Sequence, residues 1–288
     1  MATLKSGFVT CVKLGLACME EIYRAGGRLD LVVTLHDHLE RDKSGRVYVD
    51  RFCQERQIPL LKVRTVNEDA VLREIRARHI DWLFVIGWSQ IVREPLLSAP
   101  KRGCVGIHPT LLPEGRGRAP IPWAIIKGLK ETGVTLFKLD AGVDTGPIIA
   151  QLRVPIAPDE TANSLYQRIT EAHRELIGKA WPLFEAGTVP LVPQDPQEGS
   201  EWPRRTPADG VINQGMTVLE VDRLVRATTR PYPGAFYDPP GEARRIRIWS
   251  GRPGIESETP GTSVFRLQLK DGVYDAVDYD VEPLDRET

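Results

Sequence analysis

Trp82-Leu83-Phe84-Val85-Ile86-Gly87 is a run of five apolar residues closed by a glycine. The run does not alternate with polar residues, so it fits a strand covered on both faces, the kind found inside a parallel sheet. Upstream, residues 68–78 carry a helical pattern with Asn67 placed to cap it, and residues 59–63 read as a strand. Residues 49–56 read as helical and 29–35 as a β-branched apolar run. Residues 11–25 set Val12, Leu16, Met19, Ile22 and Tyr23 at helical spacing and are stopped by Gly26-Gly27. Residues 5–9 supply a short first strand. Downstream, strands are predicted at 103–107, 134–139 and 148–156 and a helix at 120–128. A long amphipathic helix is predicted over 160–185, with Thr161 near its start.

Strands alternating with helices of this length indicate βαβ units and an α/β fold with a Rossmann-like open sheet. Ligands of such sheets lie at the carboxyl ends of the strands, here after residues 84–86, 105–107 and 137–139. The pattern changes near Gly187. Residues 187–209 hold Pro190, Pro193, Pro196, Pro203 and Pro207 with few periodic apolar positions, which reads as a linker. Beyond it lie one helix candidate, 217–227, and strand candidates at 235–237, 245–250, 264–269 and 273–277. The expected organisation is a domain over 1–187, a linker over 188–209 and a small, mostly β, barrel-like domain over 210–288.

The 288 residues are 41% hydrophobic and 27% charged, enough for a sizeable core, and the formal net charge of −1 asks for no DNA partner. Cys11, Cys18, Cys53 and Cys104 form no Cys-x-x-Cys pair, so no metal site is expected and the thiols read as reduced and buried. Residues 1–7 lack the apolar core of a signal peptide, and no apolar run reaches the ~20 residues that span a bilayer. The expectation is a cytoplasmic protein without a membrane partner. No Gly-x-Gly-x-x-Gly follows the first strand, which argues against a dinucleotide cofactor.

Two segments carry candidate chemistry. His108 follows a buried strand and opens the loop Pro109-Thr110-Leu111-Leu112-Pro113, and histidine is the side chain suited to proton transfer near neutrality. A hydrogen-bonded structural histidine fits the same position. Asp140-Ala141-Gly142-Val143-Asp144-Thr145-Gly146-Pro147 follows another apolar strand, and Asp144 is a candidate partner for a protonated His108. An ordinary Asp- and Gly-rich turn fits it as well.

Taken together, His108-Pro109-Thr110-Leu111-Leu112-Pro113-Glu114-Gly115-Arg116-Gly117-Arg118, Glu131-Thr132-Gly133-Val134-Thr135 and Gly142-Val143-Asp144-Thr145-Gly146-Pro147-Ile148 resemble the 10-formyltetrahydrofolate-dependent formyltransferases. The resemblance covers most of residues 1–186. It continues in Arg205-Thr206-Pro207-Ala208-Asp209-Gly210 and Arg230-Pro231-Tyr232-Pro233-Gly234-Ala235-Phe236, which look like the second-domain signatures of the methionyl-tRNA and amino-sugar members. It implies a transferase with 10-formyltetrahydrofolate as co-substrate and His108 and Asp144 as catalytic residues. It further implies folate contacts at Gln90, Ile91, Val92 and Arg118, and a pterin-cupping loop of Asp140, Ala141, Gly142 and Val143. Dimerisation through the second domain is common in the sugar-type relatives, so a homodimer is an expectation.

One position departs from the family pattern. An asparagine usually stands two residues before the histidine, where it helps hold the formyl oxygen, and here that residue is Gly106. Three readings follow: the charge is held by His108, a backbone N–H or a water; it is held by another side chain such as Ser89 or Thr110; or folate is bound and transfer is poor. The acceptor is read from charge. Residues 204–288 hold 12 Lys/Arg and 14 Asp/Glu, and the tail carries Asp271, Asp275, Asp278, Asp280, Glu282, Asp285 and Glu287 against Arg286 alone. That is a poor surface for tRNA. Arg244-Arg245-Ile246-Arg247 is a candidate phosphate holder or a solvated strand face. The expected partner is therefore a small amine, an amino-sugar nucleotide or another biosynthetic amine, with Trp88 and Trp123 as candidate stacking residues or plain core aromatics. Methionyl-tRNA formylation, hydrolysis of 10-formyltetrahydrofolate and non-catalytic folate binding are the alternatives.

Overall fold

The computed structural model describes residues 3–39, 45–257 and 263–284. Asp285, Arg286 and Glu287 of the acidic tail lie outside the described residues. In chain order the elements are β1 (Ser6–Val9), α1 (Lys13–Arg24), β2 (Leu31–Leu35), α2 (Asp50–Glu55), β3 (Leu60–Val63), α3 (Asp69–Ala77), β4 (Trp82–Val85), β5 (Gly103–His108), β6 (Arg116–Gly117), α4 (Pro120–Ile126), β7 (Glu131–Lys138), β8 (Ile148–Pro155), α5 (Ala162–Ala186), β9 (Glu201–Trp202), α6 (Val218–Thr228), β10 (Ala235–Tyr237), β11 (Arg244–Pro253), β12 (Phe265–Leu269) and β13 (Gly272–Pro283). The chain forms two compact units. The first comprises Met1–Gly117, Gly133–Val154 and Ile169–Glu201, and the second Arg118–Thr132, Pro155–Arg168 and Trp202–Thr288.

The first unit is built on a sheet of order β3-β2-β1-β4-β5-β7-β8. Strands β3, β2, β1, β4 and β5 run parallel, and β7 pairs antiparallel with β5, setting Gly106 opposite Phe137 and His108 opposite Thr135. The apolar run at 82–86 has a simple cause. Leu83 and Val85 enter one core with Val71, Leu72 and Ile75 of α3. Phe84, between them, meets Trp181 and Phe184 of α5 at centroid distances of 5.6 and 4.9 Å. Both faces are covered, so no position in the strand is free to be polar.

Asn67 does not cap α3. The cap residue is Glu68, without a side-chain cap bond, and Asn67 instead binds the 91–93 loop, donating to Ile91 O at 2.9 Å and accepting from Arg93 N at 2.9 Å. An asparagine beside a helix start can satisfy a distant loop as readily as its own turn.

In the second unit, β10-β11-β13-β12 form an antiparallel sheet. The outer strands β10 and β12 are not hydrogen-bonded to each other among the described residues. Val221, Leu224 and Val225 of α6 pack on Ile246, Ile248, Leu267, Tyr274 and Ala276. A capping box of Thr217 and Glu220 starts α6, and Asp271 accepts from Val218 N at 2.7 Å, a carboxylate at the positive end of a helix. β11 and β13 run for 10 and 12 residues, longer than their apolar residues suggest. Their outer positions mix Arg244, Arg252, Asp278 and Asp280 with exposed Val277 and Val281, and β11 bulges near Ser250.

Candidate active site

His108 is the last residue of β5 and is buried. The loop after it is pinned by polar groups on neighbouring strands. Thr135 Oγ1, buried on β7, donates to Thr110 O at 2.7 Å and accepts from Leu112 N at 3.1 Å. Gln151 on β8 donates to Leu112 O at 2.7 Å. Ser200 Oγ accepts from Gly115 N at 2.9 Å. The backbone groups of the loop are thereby satisfied away from any regular element, as burial requires.

This brings His108 and Asp144 together. His108 Nδ1 lies 3.3 Å from Asp144 Oδ2, and Nε2 lies 2.8 Å from Gly115 O. Both ring nitrogens face oxygen acceptors. A neutral imidazole has one N–H and satisfies one of them; the imidazolium satisfies both. Asp144 Oδ2 also accepts from Gly117 N at 2.9 Å. Asp144 has φ +55°, a left-handed conformation that aspartate tolerates better than most residues. Gly146 beside it admits no side chain, since a Cβ there would sit 1.8 Å from Lys138 O.

A second histidine lies near the pair. His173 of α5 is buried, with Nδ1 donating to Ile169 O at 2.7 Å. Burial, reinforced by the proximity of His108 and opposed by that hydrogen bond, pushes its pKa down to about 4. The four cysteines are buried thiols, and burial raises Cys53 and Cys104 to about 12.

Position 106 is apolar ground. A Cβ on Gly106 would lie 2.8 Å from Leu139 Cδ2 and 3.4 Å from Phe137 Cε1, so Leu139 occupies the place that a longer side chain would need. Thr110 Oγ1 and Trp88 Nε1 are buried without a hydrogen-bond partner among the described residues.

The other expected site residues are spread over both units. Gln90 uses its amide on backbone, accepting from Val66 N at 3.0 Å and donating to Arg64 O at 3.1 Å. Ile91 is exposed, and Val92 is buried in the α3-side core. Asp140 Oδ1 accepts from Gly142 N and from Thr145 Oγ1 at 2.8 Å, while Ala141, Gly142 and Val143 are exposed. In the second unit, exposed Arg118 donates its N–H to Trp202 O. Trp123 has Arg205 4.9 Å over its ring and donates Nε1–H to Pro203 O. Trp88 packs on the first unit's core.

Sequence reasoning missed Gln194 and Ser200. Both sit in the Pro-rich stretch read as a linker, and no local pattern marks them. Val192 pairs with Ile148 at the edge of β8, which lays the following residues against the His108 and Asp144 loops.

Residues 18–180 match the family model described as Formyl transferase, and residues 204–272 match Formyl transferase, C-terminal domain. The first match alone spans more than half of the chain. The chain belongs to the formyltransferase family. Among solved structures, this formyltransferase chain is similar to WlaRD, a sugar 3N-formyl transferase crystallised with dTDP and 5-N-formyl-THF. The TM-score is 0.70 at 18% identity, covering 99% of this chain and 100% of that one. An N-formyltransferase from Helicobacter canadensis, solved with folinic acid and dTDP-3-aminofucose, gives 0.71 at 18% identity, covering 97% and 99%. The methionyl-tRNA formyltransferase of Clostridium thermocellum gives 0.59 at 16% identity, covering 97% and 99%. At these identities the likeness is one of fold, and it extends through the second unit.

Proposed function

We propose that this formyltransferase moves the formyl group of 10-formyltetrahydrofolate to the amine of a small acceptor, an amino-sugar nucleotide or another biosynthetic amine, in the cytoplasm. The observation that carries the reading is the 3.3 Å approach of His108 Nδ1 to an Asp144 carboxylate fixed by Gly117 N. The acceptor nitrogen attacks the formyl carbon, and the carbonyl electron pair moves onto oxygen. Collapse of the tetrahedral intermediate breaks the bond to N10. One proton leaves the attacking nitrogen and one reaches N10. His108 relays them, and Asp144 stabilises the imidazolium between the two transfers. For Nε2 to take part, the Gly115 carbonyl must yield to the reacting atoms. With Gly106 in the asparagine position and Leu139 filling the space, the imidazolium N–H is the donor for the developing oxyanion.

Within the first unit, folate would lie along Gln90, Ile91, Val92 and the turn Asp140, Ala141, Gly142 and Val143. The side-chain bonds inside that turn hold Asp140 inward and leave the exposed backbone to meet a ligand. A small acceptor is favoured over tRNA because the basic residues of the 244–247 cluster are spent on acids. Arg245 binds Asp238, Arg247 binds Glu282, and Arg244 binds Glu242. The test is tetrahydrofolate release from 10-formyltetrahydrofolate across a panel of amines. Amine-dependent release supports transfer, amine-independent release means hydrolysis, and folate binding without release means a binding protein.

A further inference from the structure

Gln194 lies in the stretch between α5 and β9 that reads, in sequence, as a connection. Its side chain makes four hydrogen bonds within the first unit. Oε1 accepts from Arg116 Nε at 3.1 Å and Nη2 at 2.8 Å. Nε2 donates to Asp144 O at 2.8 Å and to Gly146 O at 2.7 Å. These use both lone pairs and both N–H groups of the amide. Its orientation is therefore unambiguous, since a flipped amide would set N–H against guanidinium and oxygen against two carbonyls.

The four partners matter because of their neighbours. Arg116 stands between Gly115, whose carbonyl meets His108 Nε2, and Gly117, whose N–H holds the Asp144 carboxylate. The other two partners are the carbonyls of Asp144 itself and of Gly146. One amide thus ties the loop that sets the histidine to the loop that sets the aspartate. Ser200 reinforces the same clamp: Gly115 N donates to its hydroxyl and Arg116 N to its carbonyl, both at 2.9 Å. The Nδ1 to Oδ2 separation of 3.3 Å exceeds the ~2.7–2.9 Å of a strong charge-assisted bond. A small displacement of either loop breaks the pair.

We infer that Gln194 is a positioning residue of the catalytic pair, setting the His108–Asp144 geometry through Arg116 and the Asp144 and Gly146 carbonyls. The inference rests on the reading of His108 and Asp144 as the proton-transfer pair. Its test uses Gln194→Met, which keeps the volume and removes the bonds, and Gln194→Glu, which keeps the contact with Arg116 but faces two carbonyls with a carboxylate. In the wild type, the His108 Nδ1 proton on Asp144 should give a downfield imidazole resonance, assigned by its loss in His108→Ala. Both Gln194 variants are expected to shift it upfield or lose it, with folate binding retained. With an amine that supports turnover, kcat should fall by about 10- to 100-fold, as for other misplaced reacting groups. KM for 10-formyltetrahydrofolate should change by less than about threefold.

A wild-type imidazole resonance in Gln194→Met overturns the inference, whatever the activity. So does recovery of both resonance and kcat in Gln194→Glu, which would leave only the Arg116 contact important. If His108→Ala keeps full activity, the catalytic reading fails, and the resonance in Gln194→Met still decides whether Gln194 orders the pair.

Discussion

The His108 loops and the β11–β13 strands are both rich in polar side chains and use them differently. Around His108, side chains bind backbone: Thr135, Gln151, Gln194 and Ser200 take peptide N–H and C=O groups of two irregular loops. On the C-terminal strands, side chains bind each other: Arg247 with Glu282, Arg266 with Asp275, Arg230 with Asp278. The first arrangement orders chain that no sheet or helix orders. The second neutralises charge on strands already held by their ladders. Substitutions in the first region should therefore cost activity, and those in the second should cost a little stability and no activity.

The largest expected effect is at the pair itself. His108→Ala should lower kcat by on the order of 10²–10⁴, the usual contribution of a positioned acid or base, without loss of folate binding. A loss below about tenfold would remove the histidine from the chemistry and erase the contrast between the regions.

Next comes His173. Its pKa of about 4 lies below the ~6.5 of an unfolded histidine. Between these values the unfolded chain binds more protons, so stability falls as pH drops through that window and the residue imposes no penalty above it. The full effect is on the order of 3 kcal/mol. Urea unfolding of wild type and His173→Gln from pH 7 to pH 4 should show the variant losing less stability. Parallel curves would mean that His173 is hydrated.

Gly106→Asn combined with Leu139→Ala clears the space at position 106 and restores an amide donor. We expect kcat to rise by about tenfold, less than the 10²–10³ lost on removing such a donor elsewhere, since in the proposed mechanism the imidazolium would share that task. An unchanged kcat would mean that the oxyanion is already fully held.

The smallest effect is expected at Arg247→Met. It breaks the ion pair with Glu282 and should cost about 1 kcal/mol or less, with kcat unchanged. A loss of activity there would show that the second region takes part in function.

How much of this was legible in the sequence follows from the same contrast. The run at 82–86, the helix at 11–25 and the helix at 217–227 are local patterns, each produced by neighbours in the chain, and they appear where expected. The His108 and Asp144 loops stood out as unusual strings of Gly, Pro and Asp. Gln194 did not, because its meaning is four bonds to residues 48 to 78 positions away, which no local pattern encodes. Asn67 was misassigned for the same reason, a local cap and a distant loop being equally available to one amide. The end of β13 is hidden because Asp278, Asp280 and Glu282 interrupt its apolar residues.

The central claim is that His108, held by Asp144, carries formyl transfer to an amine. The most direct measurement is the mass of the acceptor after a single turnover with 10-formyltetrahydrofolate, for wild type and His108→Ala side by side. A gain of about 28 Da on the amine, the mass of a formyl group replacing hydrogen, is expected with the wild type, and almost none with the variant. Equal formylation by both proteins, or formate in place of formylated amine with the wild type, would contradict it.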